Sequence, residues 1–164
     1  MDVLIEVESQ KHQDQVYDLV SSAFAQPDEA NLVDKLRSGN HVAASMVAIE
    51  DGVVVGHILL SKLENPAGFL ALAPLAVSPT RQRQGIGSAL IKRAIATVQD
   101  DGWLGILLLG DPTFYTRFGF RVEDAAKFET PYPKNYFMAL ELSPGALERT
   151  SSTVIYPAPF SKLG

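Results

Sequence analysis

Leu75-Ala76-Val77-Ser78-Pro79-Thr80-Arg81-Gln82-Arg83-Gln84-Gly85-Ile86-Gly87-Ser88-Ala89-Leu90 decides the fold of this chain. It reads as an apolar strand, a basic turn with two glycines, and the start of an amphipathic helix. Glycines at a helix N-terminus let backbone N–H groups approach an anion, and the helix dipole favours negative charge there. Arg81, Arg83, Lys92 and Arg93 lie on or near the turn, and no Asp or Glu occurs between Asn65 and Gln99. In a chain of formal net charge −5 this is a local anion site. A phosphate-bearing cofactor is the natural ligand class.

Outward from this stretch, 164 residues with 46% apolar and 20% charged side chains suit one globular domain with a substantial core. Its core is expected over about residues 3–145, with a C-terminal extension over 146–164. The acidic balance, 14 Lys+Arg against 19 Asp+Glu, argues against nucleic acid as the main partner. Without cysteine there are no disulfides, thiolate metal ligands or cysteine nucleophiles, and no metal is expected. The start, Met1-Asp2-Val3-Leu4-Ile5-Glu6, does not read as a signal peptide, and no apolar run is long enough to span a membrane. A cytoplasmic location without membrane contact is the expectation.

Val3 to Val7 reads as a strand, Gln10 to Ala25 as a helix, and Pro27-Asp28-Glu29 as the opening of a second helix that ends before Gly39. His41 to Ile49 and Val53 to Leu63 flank Asp51-Gly52, a strong hairpin signal. Phe69 to Val77 is apolar almost throughout, so both faces are expected to be buried. Ile86 to Val98 carries Ile86, Ala89, Leu90, Ala94 and Val98 on one helical face. Leu104 to Leu109 is a short strand, Pro112 begins a short helix through Arg117, and Phe120 to Val122 is extended. Lys127 to Lys134 is a loop, Tyr136 to Leu142 a strand, and Thr153 to Tyr156 a candidate for one more. The order predicts a mixed sheet in an α/β layered domain.

Three readings compete for the glycine turn. A Walker A loop fails because Gly87 is followed by Ser88 with no intervening lysine. A dinucleotide fingerprint fits Gly85-Ile86-Gly87 and a later acid, Asp111, but has Leu90 at the third glycine position and a long approach from Val77. The third reading is specific. Gln82-Arg83-Gln84-Gly85-Ile86-Gly87 resembles the Gln/Arg-x-x-Gly-x-Gly/Ala signature of the GNAT superfamily of N-acetyltransferases. Phe114-Tyr115-Thr116-Arg117-Phe118-Gly119-Phe120 resembles that family's later aromatic segment. Gly110-Asp111-Pro112 and Ala139 to Leu147 are similar to its small bacterial YhbS-like group.

That resemblance implies a mostly antiparallel central sheet flanked by helices, with a splayed central strand that Pro74, lacking an N–H, suits. It implies acetyl-CoA as donor and co-substrate, the pyrophosphate on Gln82, Arg83, Gln84, Gly85, Ile86, Gly87 and Ser88, and the pantetheine arm along Leu75, Ala76 and Val77. Phe114 and Tyr115 would border the donor, with Tyr115 as the acid that protonates the leaving thiolate. The acceptor, a small-molecule or peptide amine, is mostly charged at neutral pH, and removing its proton costs roughly 4–5 kcal/mol. Many relatives place a glutamate on the central strand, whereas Ala71 to Val77 has no ionisable group. Glu64, His57, Asp111 or a water relay are the candidate bases, with a core role for His57 and a helix-capping role for Asp111 as alternatives. Glu29 and Asn31, and Phe128, Tyr132 and Tyr136, are candidates to frame the acceptor pocket. Exposed strand edges make a homodimer an expectation. The alternative class is a non-catalytic acyl-CoA-binding module of the same fold.

Overall fold

The computed structural model describes residues 3–162. Six strands form one sheet in chain order: β1 (Leu4–Val7), β2 (Val42–Glu50), β3 (Val53–Lys62), β4 (Phe69–Val77), β5 (Gly105–Leu109) and β6 (Phe137–Glu141). All neighbours are antiparallel except β4 and β5, which are parallel. A parallel pair needs a crossover connection, and α3 (Ile86–Asp100) supplies it. The turn before α3 therefore stands at the open end of β4.

On the other face lie α1 (Gln13–Phe24), preceded by a 3₁₀ turn at Gln10–His12, and α2 (Asp28–Ser38). Asp51 and Gly52 turn the β2–β3 hairpin with φ of 51° and 77°, the left-handed geometry that matches strand twist. Short helices α4 (Pro112–Tyr115) and α5 (Ala146–Arg149) complete the regular structure. Thr153 to Tyr156 is not a strand. It makes only isolated bridges, Thr153 to Glu129 and Ile155 to Asn65. Phe120 to Val122 likewise contributes a single bridge, Arg121 to Ala139, before the chain turns. Among the described residues, no helix is long and apolar enough to cross a membrane.

Strand alternation sorts the core into layers. Met46, Ala48, Ile58 and Leu60 face α3, whose buried side chains are Ile86, Leu90, Ile91, Ala94 and Val98. Ile91 thus takes the place expected for Ala89, which is exposed. Val47, Leu59 and Ala76 face α1 and α2, packing on Val16, Val20, Leu32 and Leu36. A third cluster gathers Phe69, Leu107, Phe128, Phe137, Ala146 and Val154. The chain beyond residue 145 is part of this packing, and Phe160 touches both the second and the third cluster.

The central strand splits from its neighbour. Only Phe69, Leu70 and Ala71 pair with β5, opposite Gly105, Ile106 and Leu107. Beyond Ala71 the two strands part, and Leu72 to Val77 keeps a partner only on the β3 side. There the register shifts between Ile58 and Leu60, so Ala73 and Pro74 sit in a bulge opposite Leu59. A residue without an N–H fits a bulge because no ladder bond is lost. Burial of β4 on both faces holds only for its first half. Leu75 and Val77 are half-buried and face a cavity.

Candidate active site

Two cavities lie along β4 and share Leu75. The first, about 550 Å³, is built on the turn into α3 and is lined by Leu75, Val77, Arg81, Gln82, Arg83, Gly85 to Ser88, Phe114 and Arg117. Gly85 caps α3 in the left-handed region, φ 86°, where glycine has no Cβ penalty. Arg83 adopts φ 66° in the same turn, a conformation that costs a non-glycine residue about 1–2 kcal/mol. Ile86, Gly87 and Ser88 are the first helical residues, whose N–H groups have no intrahelical acceptor. Among the described residues none has another acceptor either. They form a set of free donors at the positive end of a helix dipole, which is an anion cradle.

The basic residues divide differently from expectation. Arg81 is held by Glu50, with Nε and Nη2 each 2.7 Å from Oε1. It shapes the wall of the cradle with its charge already matched. Arg83 is exposed at the turn. Arg117 stacks over the Phe114 ring at 5.1 Å and brings a second cation to the cavity. Its spacing from the turn hid it from the sequence, because only the parallel β4–β5 joint brings α4 beside α3. Of the other expected donor-site residues, Ala76 turns its side chain to the α1–α2 layer and offers only backbone to this side. Gln84 is exposed and outside the lining, and the Ile86 side chain is buried in the core beneath it.

The second cavity, about 520 Å³, fills the split between β4 and β5. Ala71 to Leu75 form one wall and Leu107 to Leu109 the other, and Tyr115 also lines it, next in the chain to Phe114 of the first cavity. Tyr115 packs edge-on to Phe114 at 4.9 Å and to Phe120 at 5.9 Å. Its ring also lies against Gly110, where an added Cβ would fall 2.5 Å from Cε2. Burial raises the Tyr115 phenol from 10.0 to about 12. Phe24, Glu29 and Leu32 close the cavity from α1 and α2, and Tyr132, Tyr156 and Phe160 from the C-terminal segments. Tyr132 and Tyr156 meet edge-on at 5.7 Å, and Tyr156 meets Phe160 at 5.0 Å.

Glu29 and Tyr132 therefore reach the cavity, whereas Asn31, Phe128 and Tyr136 do not line it. Asn31 accepts a hydrogen bond from the Tyr17 hydroxyl at 2.8 Å, Phe128 packs on Phe69, and Tyr136 is exposed. None of the three candidate bases stands in either cavity. Asp111 caps α4, accepting from Thr113 N at 3.0 Å and from its hydroxyl at 2.8 Å. Glu64 is exposed beyond the end of β3.

His57 is fully buried on the α1–α2 side. Its Nε2 is 2.8 Å from Ser45 Oγ and 3.5 Å from Glu8 Oε1, and its Nδ1 has no partner. Glu8 also accepts from Ser45 and Arg37, and Arg37 reaches Asp34 at 2.7 Å. Burial lowers the His57 pKa, with Glu8 opposing. For Glu8, burial alone would raise the pKa, but hydrogen bonds from His57, Ser45 and Arg37 together bring it from 4.5 down to about 2. This cluster joins α2 to the sheet at a distance from the split.

Comparison with known proteins agrees with this geometry. The uncharacterized N-acetyltransferase YhbS of Escherichia coli K12 is 27% identical over 150 residues, which are 88% of this chain and 90% of the relative. The crystal structure of E. coli YhbS in complex with CoA superposes with a TM-score of 0.92 at 27% identity, covering 99% of this chain and 93% of that one. A GNAT family acetyltransferase from Brucella melitensis, in complex with acetyl-CoA, superposes with a TM-score of 0.82 at 31% identity, over 97% and 98% of the chains. The Acetyltransferase (GNAT) family profile matches residues 13–120, from the first helix through the aromatic segment. An anion cradle at the start of α3, beside a split parallel joint, is thus found in a chain that belongs to the GNAT acetyltransferase family.

Proposed function

We propose that the protein moves an acetyl group from acetyl-CoA directly to a primary amine. One observation carries the reading: the free helix-start donors, the unpaired edge of β4 and the half-buried Tyr115 line two cavities that share Leu75. The two solved relatives, which hold CoA and acetyl-CoA, support it.

The residues fit such a donor. N–H groups of Gly85 to Ser88 would take the pyrophosphate, with Arg83 and Arg117 supplying charge. Gln82 ties the turn to the strand through Nε2 and the Val77 carbonyl, 3.3 Å apart. Leu75, Ala76 and Val77 offer backbone groups on the side away from β3, a strand edge suited to the amides of a pantetheine arm. Acetyl-CoA supplies an activated acyl group and a sulfur leaving group.

Tyr115 lines the split next to Phe114 of the donor cavity, which supports its assignment to the sulfur. A phenol with its pKa raised to about 12 stays protonated across the physiological range and meets the site as a donor. A thiol of ordinary pKa, about 8.5, is the weaker base, so full transfer from Tyr115 alone is uphill by roughly 5 kcal/mol. Tyr115 must therefore receive a proton as it gives one. The amine proton released as the new C–N bond forms, passed through water, closes that balance.

Replacing Tyr115 with Phe keeps the ring and removes the donor. Acetyl transfer followed by thiol release across an amine panel should fall by about 10²-fold in kcat. Calorimetric affinity for CoA should stay within about twofold. CoA binding with no turnover on any amine, in either protein, would favour the acyl-CoA-binding module.

A further inference from the structure

The structure assigns a substrate class to the acceptor side of the cleft. We infer that Glu29 receives the ammonium of a small monoamine whose apolar body rests on Phe24, Tyr132, Tyr156 and Phe160. This rests on the acetyl-transfer reading above.

Charge makes the case first. Among the described residues lining the split, Glu29 is the one side chain that is charged at neutral pH. Its carboxylate is already oriented by Gln26 Nε2, 3.0 Å from Oε1 and 3.3 Å from Oε2. A single carboxylate in a pocket whose other side chains are uncharged selects one cationic group. A polyamine or an aminoglycoside would desolvate further ammonium groups there without partners, and an acidic amine would meet repulsion. The tyrosine and phenylalanine faces around Glu29 suit both an apolar body and a cation.

Size sets the second limit. The cavity holds about 520 Å³, and the part between Ala71–Leu75 and Leu107–Leu109 adjoins the donor side. What remains between α2 and the C-terminal segments suits an aryl-alkyl or branched alkyl amine. Phe160 packs against both the α1–α2 layer and the third core cluster, so the C-terminal segment bridges the two walls. In the transfer the bound ammonium first gives one proton to solvent, and the neutral nitrogen then bonds to the acetyl carbon as the carbon–sulfur bond breaks. The sulfur leaves as thiol with a proton from Tyr115, which is reprotonated through water by the second proton lost from the nitrogen. The amide product is neutral and no longer pairs with Glu29, so charge recognition favours substrate over product.

Thiol release with acetyl-CoA would be measured for 2-phenylethylamine, 3-methylbutylamine, spermidine, free lysine and a lysine peptide. The two apolar monoamines should exceed the others at least tenfold in kcat/KM. E29Q should raise their KM about tenfold or more and leave CoA affinity unchanged. F24E, which adds a second carboxylate at the rim, should move preference toward spermidine. Calorimetry of 2-phenylethylamine against 2-phenylethanol needs no turnover: the wild type should prefer the amine at least tenfold, and E29Q should erase that preference. Equal binding of amine and alcohol overturns the inference, as does preference for spermidine, lysine or the peptide, or an unchanged KM in E29Q. Amine-selective binding without turnover on any amine upholds the Glu29 site and defeats the acetyl-transfer reading instead.

Discussion

Gly87 has room for a side chain that it does not carry. A Cβ there would meet its nearest neighbour, Val77, at 3.7 Å, an ordinary contact, and its backbone is already helical. Glycine in a helix costs up to about 1 kcal/mol relative to alanine, so the folded protein alone would favour alanine. Gly87→Ala is therefore expected to raise the unfolding temperature of the free protein while weakening CoA at least tenfold. Thermal melts without ligand and a CoA titration check the two signs separately. Gly110 is the opposite case, because a Cβ there would collide with the Tyr115 ring beside the end of β5.

The donor side is the work of contiguous elements, β4, the turn and α3, and it was legible because strand, glycines and helix follow one another along the chain. The acceptor side is assembled from α1, α2 and segments beyond residue 130, which only the tertiary fold brings together. Glu29 looked like any acid in a helix's first turn, and no spacing rule separates it from Asp28. Phe128 and Tyr132 were indistinguishable as loop aromatics until packing on Phe69 claimed one of them. Thr153 to Tyr156 is a strand candidate in the sequence, but the segment makes only two isolated bridges. The C-terminal segment has both structural and binding roles. Phe160→Ala should cost about 1–3 kcal/mol, below the usual range for fully buried phenylalanine, and should raise KM for apolar amines. Urea unfolding and amine kinetics would show the two effects together.

For the whole molecule, the Glu8–Ser45–His57–Arg37 cluster sets how stability responds to acid. Folded His57 resists protonation, so as pH falls below 6.5 the unfolded chain gains a proton that the native state refuses. Glu8 is depressed to about 2, so its contribution is present above 4.5 and is lost as pH falls toward about 2. Both act in the same direction. Urea midpoints should decline from pH 7 to pH 3, and Glu8→Gln should start lower at pH 7 and flatten the acid part of the decline. The sheet's strand order has a different consequence, one of time. Strands β2, β3 and β4 follow one another through short connections and can pair as hairpins, whereas β1 pairs with β2 only across α1 and α2. The β4–β5 joint, like the β1–β2 and β5–β6 pairs, must wait for a long connection to fold back, here the crossover through α3. The cleft lies at that joint, so the reactive centre belongs to the long-range part of the molecule's assembly and not to its local hairpins.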